Sequence, residues 1–384
     1  MFKKIILSLI LCFCVIISSC SVFVFADNSD GDISLSAVSA AAYSPLTGST
    51  VYEKNCHERL PMASTTKIMT ALIVCERLKL DSLITITKED SLTEGSSSGL
   101  KAGDTVSVGD LIYCMLLPSG NDAANAGARA VSGGAEAFSV LMNEKARELK
   151  MNDTNFVTPS GLDAPGHYSS AYDLALLASE ALKNDFLKEV FSSVTHTVET
   201  KQGIKYYLTN HNRLLKSIDG CCGVKTGFTK KSGRCLVSAT TRDSLSLIAV
   251  TLNAPDDWSD HKKMIDRAFS SVCSLKLNTA KANIPVTGSS VREITASSDI
   301  PEIKTFGDIS GEISVRITSD KFLYAPVDET TPCASADILY KNRIIYSVTL
   351  HSEAPAGVKI YEEKKQTKKS LIEKIKVKFR KIMR

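Results

Sequence analysis

Past residue 26 the chain has no second apolar run of membrane-spanning length, which excludes a protein threaded through a bilayer by several helices. Its six histidines, His57, His167, His196, His211, His261 and His351, show no metal-ligand spacing, so neither a metal nor another cofactor is expected. Of eleven cysteines, the eight after residue 26 (Cys56, Cys75, Cys114, Cys221, Cys222, Cys235, Cys273 and Cys333) form neither a disulfide framework nor a zinc pattern. Cys75 and Cys114 lie in apolar runs and read as small buried hydrophobes. Bridging adjacent Cys221 and Cys222 would strain the backbone, so mostly free thiols are expected. No internal repeat is visible. A nucleic-acid groove is also unsupported, because the net charge of +4 conceals an acidic body. Lys364 to Arg384 hold ten Lys/Arg and one Glu; without these and Lys3 and Lys4, 34 basic residues face 41 acidic ones.

What is present fits a globular protein with one large and one smaller domain: 384 residues, 43% apolar and 23% charged. Lys3 and Lys4, the uncharged apolar run Ile5 to Phe25, and Val24-Phe25-Ala26 before polar Asp27-Asn28-Ser29 read as an export signal over 1–26. An uncleaved signal anchor is the alternative, since the run is long enough to span a bilayer. Ile17-Ser18-Ser19-Cys20 also resembles a lipoprotein cleavage box, against which the apolar stretch Val22 to Phe25 argues.

The pattern along the body predicts an α+β fold with an antiparallel sheet, because helices are grouped between early and late strands. Ala40 to Tyr43 and Val51 to Glu53 flank a Pro45-Leu46-Thr47-Gly48 turn and read as a hairpin. Ser64 to Lys79 reads as a helix, with Ile68, Leu72, Cys75 and Leu78 at three- and four-residue intervals. Further helices are expected at Val108 to Leu117, Ala123 to Val131, Glu136 to Leu149, Ala171 to Lys183 and Asp260 to Phe269. Strands are expected at Gly233 to Thr240 and Ser244 to Leu252. Beyond about residue 280 the texture changes. Ile313/Val315/Ile317 and Tyr346/Val348/Leu350 alternate with polar residues, as half-buried strands do, and Lys341-Asn342-Arg343 reads as a hairpin tip. The expected boundaries are a signal at 1–26, a catalytic domain at 27–279, a small all-β domain at 280–357, and a linker with a basic helix at 358–384.

Three short motifs carry the chemistry. In Ser64-Thr65-Thr66-Lys67 a helical spacing of three puts a hydroxyl and an amine on one face. A lysine becomes a base for the serine when desolvation and nearby cations lower its pKa. In Ser119-Gly120-Asn121, after Pro118, a tight connection can present two polar side chains to a cleft, Ser119 as a proton relay and Asn121 to hold a substrate amide and orient Lys67. In Lys225-Thr226-Gly227, on a strand, Lys225 can offer charge to a carboxylate, Thr226 a hydroxyl, and Gly227 a close backbone approach. Each motif alone is weak: a capping serine, a capping turn or a chance tripeptide explains it equally well.

Together and in this order, S-x-x-K, S-x-N and K-T-G resemble the signature set of penicillin-binding proteins and serine β-lactamases. Leu60-Pro61-Met62-Ala63 before Ser64, Asp122-Ala123-Ala124 after Asn121, Gly161-Leu162-Asp163-Ala164-Pro165-Gly166-His167 and Gly223-Val224 before Lys225 narrow the resemblance. They are similar to the low-molecular-mass D-alanyl-D-alanine carboxypeptidases (peptidase S11) over roughly residues 33 to 275. The resemblance implies a penicillin-recognition domain (β-lactamase/transpeptidase-like) with a helical subdomain and the site in the cleft between its parts. It implies Ser64 as nucleophile, Lys67 as base and Ser119 as a third catalytic residue. It places Asn121, Lys225, Thr226, Gly227 and Phe228 on the substrate, with the backbone N–H groups of Ser64 and Phe228 as oxyanion hole. The implied partners are a peptidoglycan stem ending in D-Ala-D-Ala and β-lactam antibiotics. Phe228 and Cys222 stand where some relatives carry histidine and aspartate. Asn253-Ala254-Pro255 lacks an arginine that some relatives place there, leaving Lys225, with Arg213 or His211, for the substrate carboxylate.

A serine β-lactamase shares the three motifs, but its E-x-x-L-N has no counterpart nearer than Glu180-Ala181-Leu182-Lys183-Asn184. A non-turnover penicillin-sensing receptor is the other alternative, and it needs the spanning helices that are missing. In the tail, Leu371, Ile372, Ile375, Phe379, Ile382 and Met383 fall on one side of a helical wheel opposite a cationic face. That stripe predicts an interfacial helix on anionic lipid, holding an exported enzyme at the outer face of the cytoplasmic membrane. A disordered basic tail is the alternative.

Overall fold

The computed structural model describes residues 33–359. The expected signal segment and basic tail helix lie outside the described residues. Within them no helix is long and apolar enough to cross a membrane.

Five antiparallel strands build the first sheet: β1 (Ser39–Ser44), β2 (Ser49–Lys54), β3 (Cys221–Thr229), β4 (Gly233–Arg242) and β5 (Leu245–Leu252), in the order β2-β1-β5-β4-β3. The central strand β5 is buried at nearly every position, which means that both of its faces are covered. Strand β1 is buried throughout and places Ala40, Ala41 and Ala42 in a row, whose small side chains let helices approach closely.

The helices longer than one turn are α1 (Lys67–Arg77), α2 (Val108–Leu116), α3 (Asn121–Ser132), α4 (Ala135–Glu148), α5 (Ala171–Ala181), α6 (Asp185–Ser192) and α7 (Asp257–Ser270) among the described residues. Helices α5 and α7 pack on β5, and α1 packs among α2, α3 and α5. The residues of α1 from Lys67 to Val74 are all buried, so it is a central helix rather than an amphipathic surface one. The expected helix from Ser64 divides: Ala63–Thr66 is a 3-10 turn, and the α-helix begins at Lys67. Helix α3 starts two residues before the expected position, at Asn121, with Gly120 as its N-cap.

A second, six-stranded sheet comprises β6 (Ala280–Thr287), β7 (Glu293–Ser298), β8 (Ile313–Ser319), β9 (Leu323–Tyr324), β10 (Pro332–Tyr340) and β11 (Arg343–Ser352), in the order β8-β10-β11-β7-β6-β9. The hairpin tip between β10 and β11 falls where expected but is two residues long, Lys341 and Asn342, both at positive φ, because Arg343 already pairs with Tyr340. One expectation is corrected here. The alternation in Ile313/Val315/Ile317 does mark a strand, but β8 is an edge, and Val315 (46%) and Ile317 (41%) stay exposed. Tyr346 is exposed as well, while Ile345, the extra residue at the β10–β11 register shift between Ile338 and Leu339, is buried.

Each sheet has its own buried apolar cluster. Contacts between the two parts include Arg343, which donates to the carbonyls of Pro45 (2.8 Å) and Leu46 (3.1 Å) in the β1–β2 turn.

Candidate active site

Ser64 lies in the 3-10 turn and Lys67 opens α1, so one helical turn brings Lys67 Nζ to 2.9 Å from Ser64 Oγ. The amine is fully buried and also donates to Asn121 Oδ1 (2.7 Å) and to the Ser160 carbonyl (2.5 Å). Both of these oxygens can only accept. A neutral amine has two N–H donors and one lone pair, so satisfying both carbonyls aims the lone pair at Ser64 Oγ. The electrostatics favour that form. Burial first, then the Lys225 cation, pull the Lys67 amine well below its ordinary range, with the Asp122 carboxylate opposing.

Asn121 is itself fixed, its Nδ2 donating to the Glu94 carbonyl (2.6 Å) and its backbone N–H to the Ser96 carbonyl (2.8 Å). The buried Asp122 carboxylate accepts from the Ser97 hydroxyl (2.7 Å) and from the backbone N–H groups of Ser98, Gly99 and Leu100. The first turn of α3 thereby ties down the loop that carries Ser96. Ser119 sits just before this turn at φ 65°, its side chain on the cleft wall.

Strand β3 is the free edge of its sheet and runs against the nucleophile. A Cβ on Gly227 would stand 3.0 Å from Ser64 N and 3.1 Å from Ala63 Cβ, so the glycine is what permits this approach. The strand, Ser64 and Ser119 border one cleft of about 490 Å³, walled by Thr226, Gly227, Phe228, His211 and Arg213 among others. Phe228 projects into solvent at 66% exposure. Lys225 is not on this wall: it is 2% exposed, its Nζ donates to the Thr226 carbonyl (2.9 Å), and burial pushes its pKa down to about 7.

A family profile described as D-alanyl-D-alanine carboxypeptidase, peptidase S11, matches residues 26–256. The chain belongs to that family. It is 32% identical over 296 residues to D-alanyl-D-alanine carboxypeptidase DacF of Bacillus subtilis, covering 74% of this chain and 76% of the relative. It is 37% identical over 238 residues to DacC of Escherichia coli, covering 58% of each. Among solved structures, the Streptomyces K15 DD-transpeptidase superposes with a TM-score of 0.60 at 34% identity, covering 62% of this chain and 99% of that one. Penicillin-binding protein 5 from Haemophilus influenzae reaches a TM-score of 0.63 at 25% identity, covering 85% and 99%. The fold is therefore the penicillin-recognition fold, followed by a curled all-β sheet.

Of the eight family-motif residues, Ser64, Ser119, Thr226, Gly227 and Phe228 reach the cleft, while Lys67, Asn121 and Lys225 stand behind it. Several contributors to the site carry no motif role in the sequence. Ser160 offers only a main-chain oxygen, which leaves no mark on residue type. His167, inside the quoted Gly161–His167 stretch, proves structural: its Nδ1 accepts from Val157 N (2.9 Å) and its Nε2 lies 2.9 Å from Thr66 Oγ1. The Thr66 hydroxyl proton goes to the Ala63 carbonyl, so Nε2 carries the hydrogen and the ring is neutral. Burial agrees, lowering the His167 pKa to about 4. Arg234, Asp257 and Trp258, also on the cleft wall, had no sequence signal at all. The eight described cysteines are free thiols.

Proposed function

We propose that this protein removes the C-terminal D-alanine from peptidoglycan stem peptides through an acyl-enzyme on Ser64, and that β-lactams acylate the same hydroxyl. The observation that carries the reading is the buried Lys67 amine, held by two carbonyl acceptors with Ser64 Oγ at 2.9 Å. Lys67 Nζ takes the Ser64 proton as Oγ attacks the carbonyl between the two D-alanines. The developing oxyanion is met by the backbone N–H groups of Ser64 and Phe228, each such donor being worth about 10²–10³ in rate. The C–N bond then breaks and the proton passes through the Ser119 hydroxyl to the leaving amine. Water, deprotonated by Lys67, attacks the acyl carbonyl, and the ester C–O bond breaks as Lys67 returns the proton to Ser64 Oγ. The open edge of β3 supports an extended peptide docking beside Thr226 and Gly227 as an added strand. Lys225 contributes from behind the wall, through Thr226 and the field it imposes on Lys67.

D-Alanine release from a diacyl-Lys-D-Ala-D-Ala peptide, with fluorescent-penicillin labelling alongside, tests this. Ser64→Ala is expected to abolish both with the fold intact; a penicilloyl adduct mapped to another residue overturns the assignment.

We further propose export by the 1–26 segment, a catalytic domain over 27–279, a β-domain over 280–357, and attachment to anionic lipid through the basic apolar stripe of the tail. The +9 balance of Lys364 to Arg384 supports the last. Deleting residues 370–384 is expected to release the processed protein from membranes, and continued membrane association after confirmed signal cleavage counts against the anchor.

A further inference from the structure

A peptide that ends in a free carboxylate needs a cation on the wall of the cleft, and the motif lysines do not supply one there. Lys67 is fully buried and engaged by Ser64, Asn121 and Ser160; Lys225 is buried with its amine on a main-chain carbonyl. The always-charged side chains on the wall are Arg213 and Arg234.

These two are held very differently. Arg234 is the second residue of β4 and pairs across the hairpin with Phe228, one position beyond the glycine that abuts Ser64 N. Cross-strand partners project to the same side, so Arg234 stands beside Phe228 at the cleft. Its Nε donates to Asp257 Oδ1 at 2.9 Å, and its guanidinium lies 5.7 Å from the Trp258 ring centroid. Asp257 is buried, anchored in turn by Trp258 N at 3.0 Å, while the Arg234 side chain remains 44% exposed. One carboxylate behind Nε and one aromatic ring beneath fix the plane of a guanidinium. A guanidinium held through Nε still has Nη donors arranged as a fork, the arrangement that grips a carboxylate in two places. Arg213 is exposed and precedes the short helix Leu214–Ser217, with no comparable clamp.

We infer that Arg234, oriented by Asp257 and Trp258, is the substrate-binding residue that receives the C-terminal carboxylate of the peptide. The assignment rests on the carboxypeptidase reading above and replaces the part expected of Lys225, Arg213 or His211 in direct carboxylate contact. Asp257 and Trp258 act through Arg234 and are positioning residues. Preorganisation is the physical gain: the ordering entropy of a long side chain is met on folding rather than on binding.

The test compares two peptides, diacyl-Lys-D-Ala-D-Ala and its C-terminal amide, by kcat/KM in wild type, Arg234→Ala, Arg234→Gln, Arg234→Lys, Asp257→Asn and Arg213→Ala. Wild type is expected to prefer the acid. In Arg234→Ala and Arg234→Gln the acid-over-amide ratio is expected to collapse by roughly 100-fold, the worth of one charge-assisted contact. Arg234→Lys should recover part of the ratio, and Asp257→Asn should lower it by a smaller factor. Arg213→Ala should retain it. Equal losses on both peptides would mean a structural role, and collapse in Arg213→Ala with the ratio kept in the Arg234 variants would move the assignment; either result overturns the inference. If wild type releases D-alanine or its amide from neither peptide, the carboxypeptidase reading fails instead. Should Arg234→Ala not fold, the length-preserving Arg234→Gln carries the comparison.

Discussion

The Lys67 amine has three neighbours, and two of them dictate its proton count. Because Asn121 Oδ1 and the Ser160 carbonyl take its hydrogens, protonation forces the third N–H against Ser64 Oγ and removes the base. The base is competent only above its folded-state pKa, so kcat/KM should rise with pH through a value well below the ordinary lysine range. Lys225 is the cationic neighbour that helps to hold this value down. Lys225→Met takes that charge away, the Lys67 pKa rises, and the acid limb of the β-lactam acylation rate should move to higher pH. A limb that stays in place or moves to lower pH contradicts the coupling. Much at this scale was legible in the sequence. Ser64 and Lys67 are three apart on a helical turn, and Ser119, Asn121 and Gly227 are flagged by residue type. The Ser160 oxygen was invisible because any residue has one, and Arg234 because its position depends on the β3–β4 register, which local sequence does not state. Lys225 was legible as a residue, but its depth was not: burial sets its amine on the Thr226 carbonyl, behind the residues that wall the cleft.

At the scale of elements, the segment Val157 to His167 holds the acceptor for the base. Gly161 adopts φ +85°, and a Cβ there would lie 2.0 Å from the Ala63 carbonyl oxygen and 2.9 Å from Thr66 Oγ1. Gly166 adopts φ +79°, yet a Cβ there would meet nothing nearer than Asn155 Nδ2 at 3.7 Å. The pair separates backbone strain from collision. Both Gly→Ala changes pay about 1–2 kcal/mol for a left-handed backbone. Only Gly161→Ala must also push the loop off the nucleophile turn, and with it the Ser160 carbonyl off Lys67. Acylation by a β-lactam should therefore slow at least about 10-fold in Gly161→Ala and much less in Gly166→Ala, read by stopped-flow at matched thermal stability. Equal rates in the two variants would count against the loop's part in placing Lys67. Elements were also where period alone misled. Alternation identifies the faces of a strand but does not say whether anything covers them, so β8 was found and its exposed edge was not foreseen. The five helices expected after residue 100 fell within a few residues of their expected ends because apolar spacing, capping serines at Ser107 and Ser170, and glycines agree, whereas α6 was not foreseen.

The first sheet is buried on both faces at its central strand β5, and that burial fixes the response of the whole molecule to acid. His261 on α7 is fully buried, with Nδ1 2.7 Å from Ser238 Oγ on β4 and Nε2 3.0 Å from Thr251 Oγ1 on β5. Burial lowers its pKa from 6.5 to about 3, as it lowers that of His167 to about 4. The sign follows directly. Above pH 6.5 both the folded and unfolded forms are neutral, and nothing is lost. As pH falls below 6.5 the unfolded chain binds a proton at each site that the folded protein refuses, so stability declines until the folded-state pKa is reached. His261 alone can withdraw on the order of 5 kcal/mol across that interval, comparable with the whole stability of many domains. Between pH 6 and 5, before most carboxylates titrate, the unfolding free energy of the wild type should fall by up to about 1.4 kcal/mol per pH unit for each of the two histidines. His261→Gln should begin less stable at pH 7 but show a slope shallower by about one proton. Denaturant melts at closely spaced pH values measure both quantities, and an unchanged slope in the variant would mean that this imidazole takes its proton without unfolding the sheet around it.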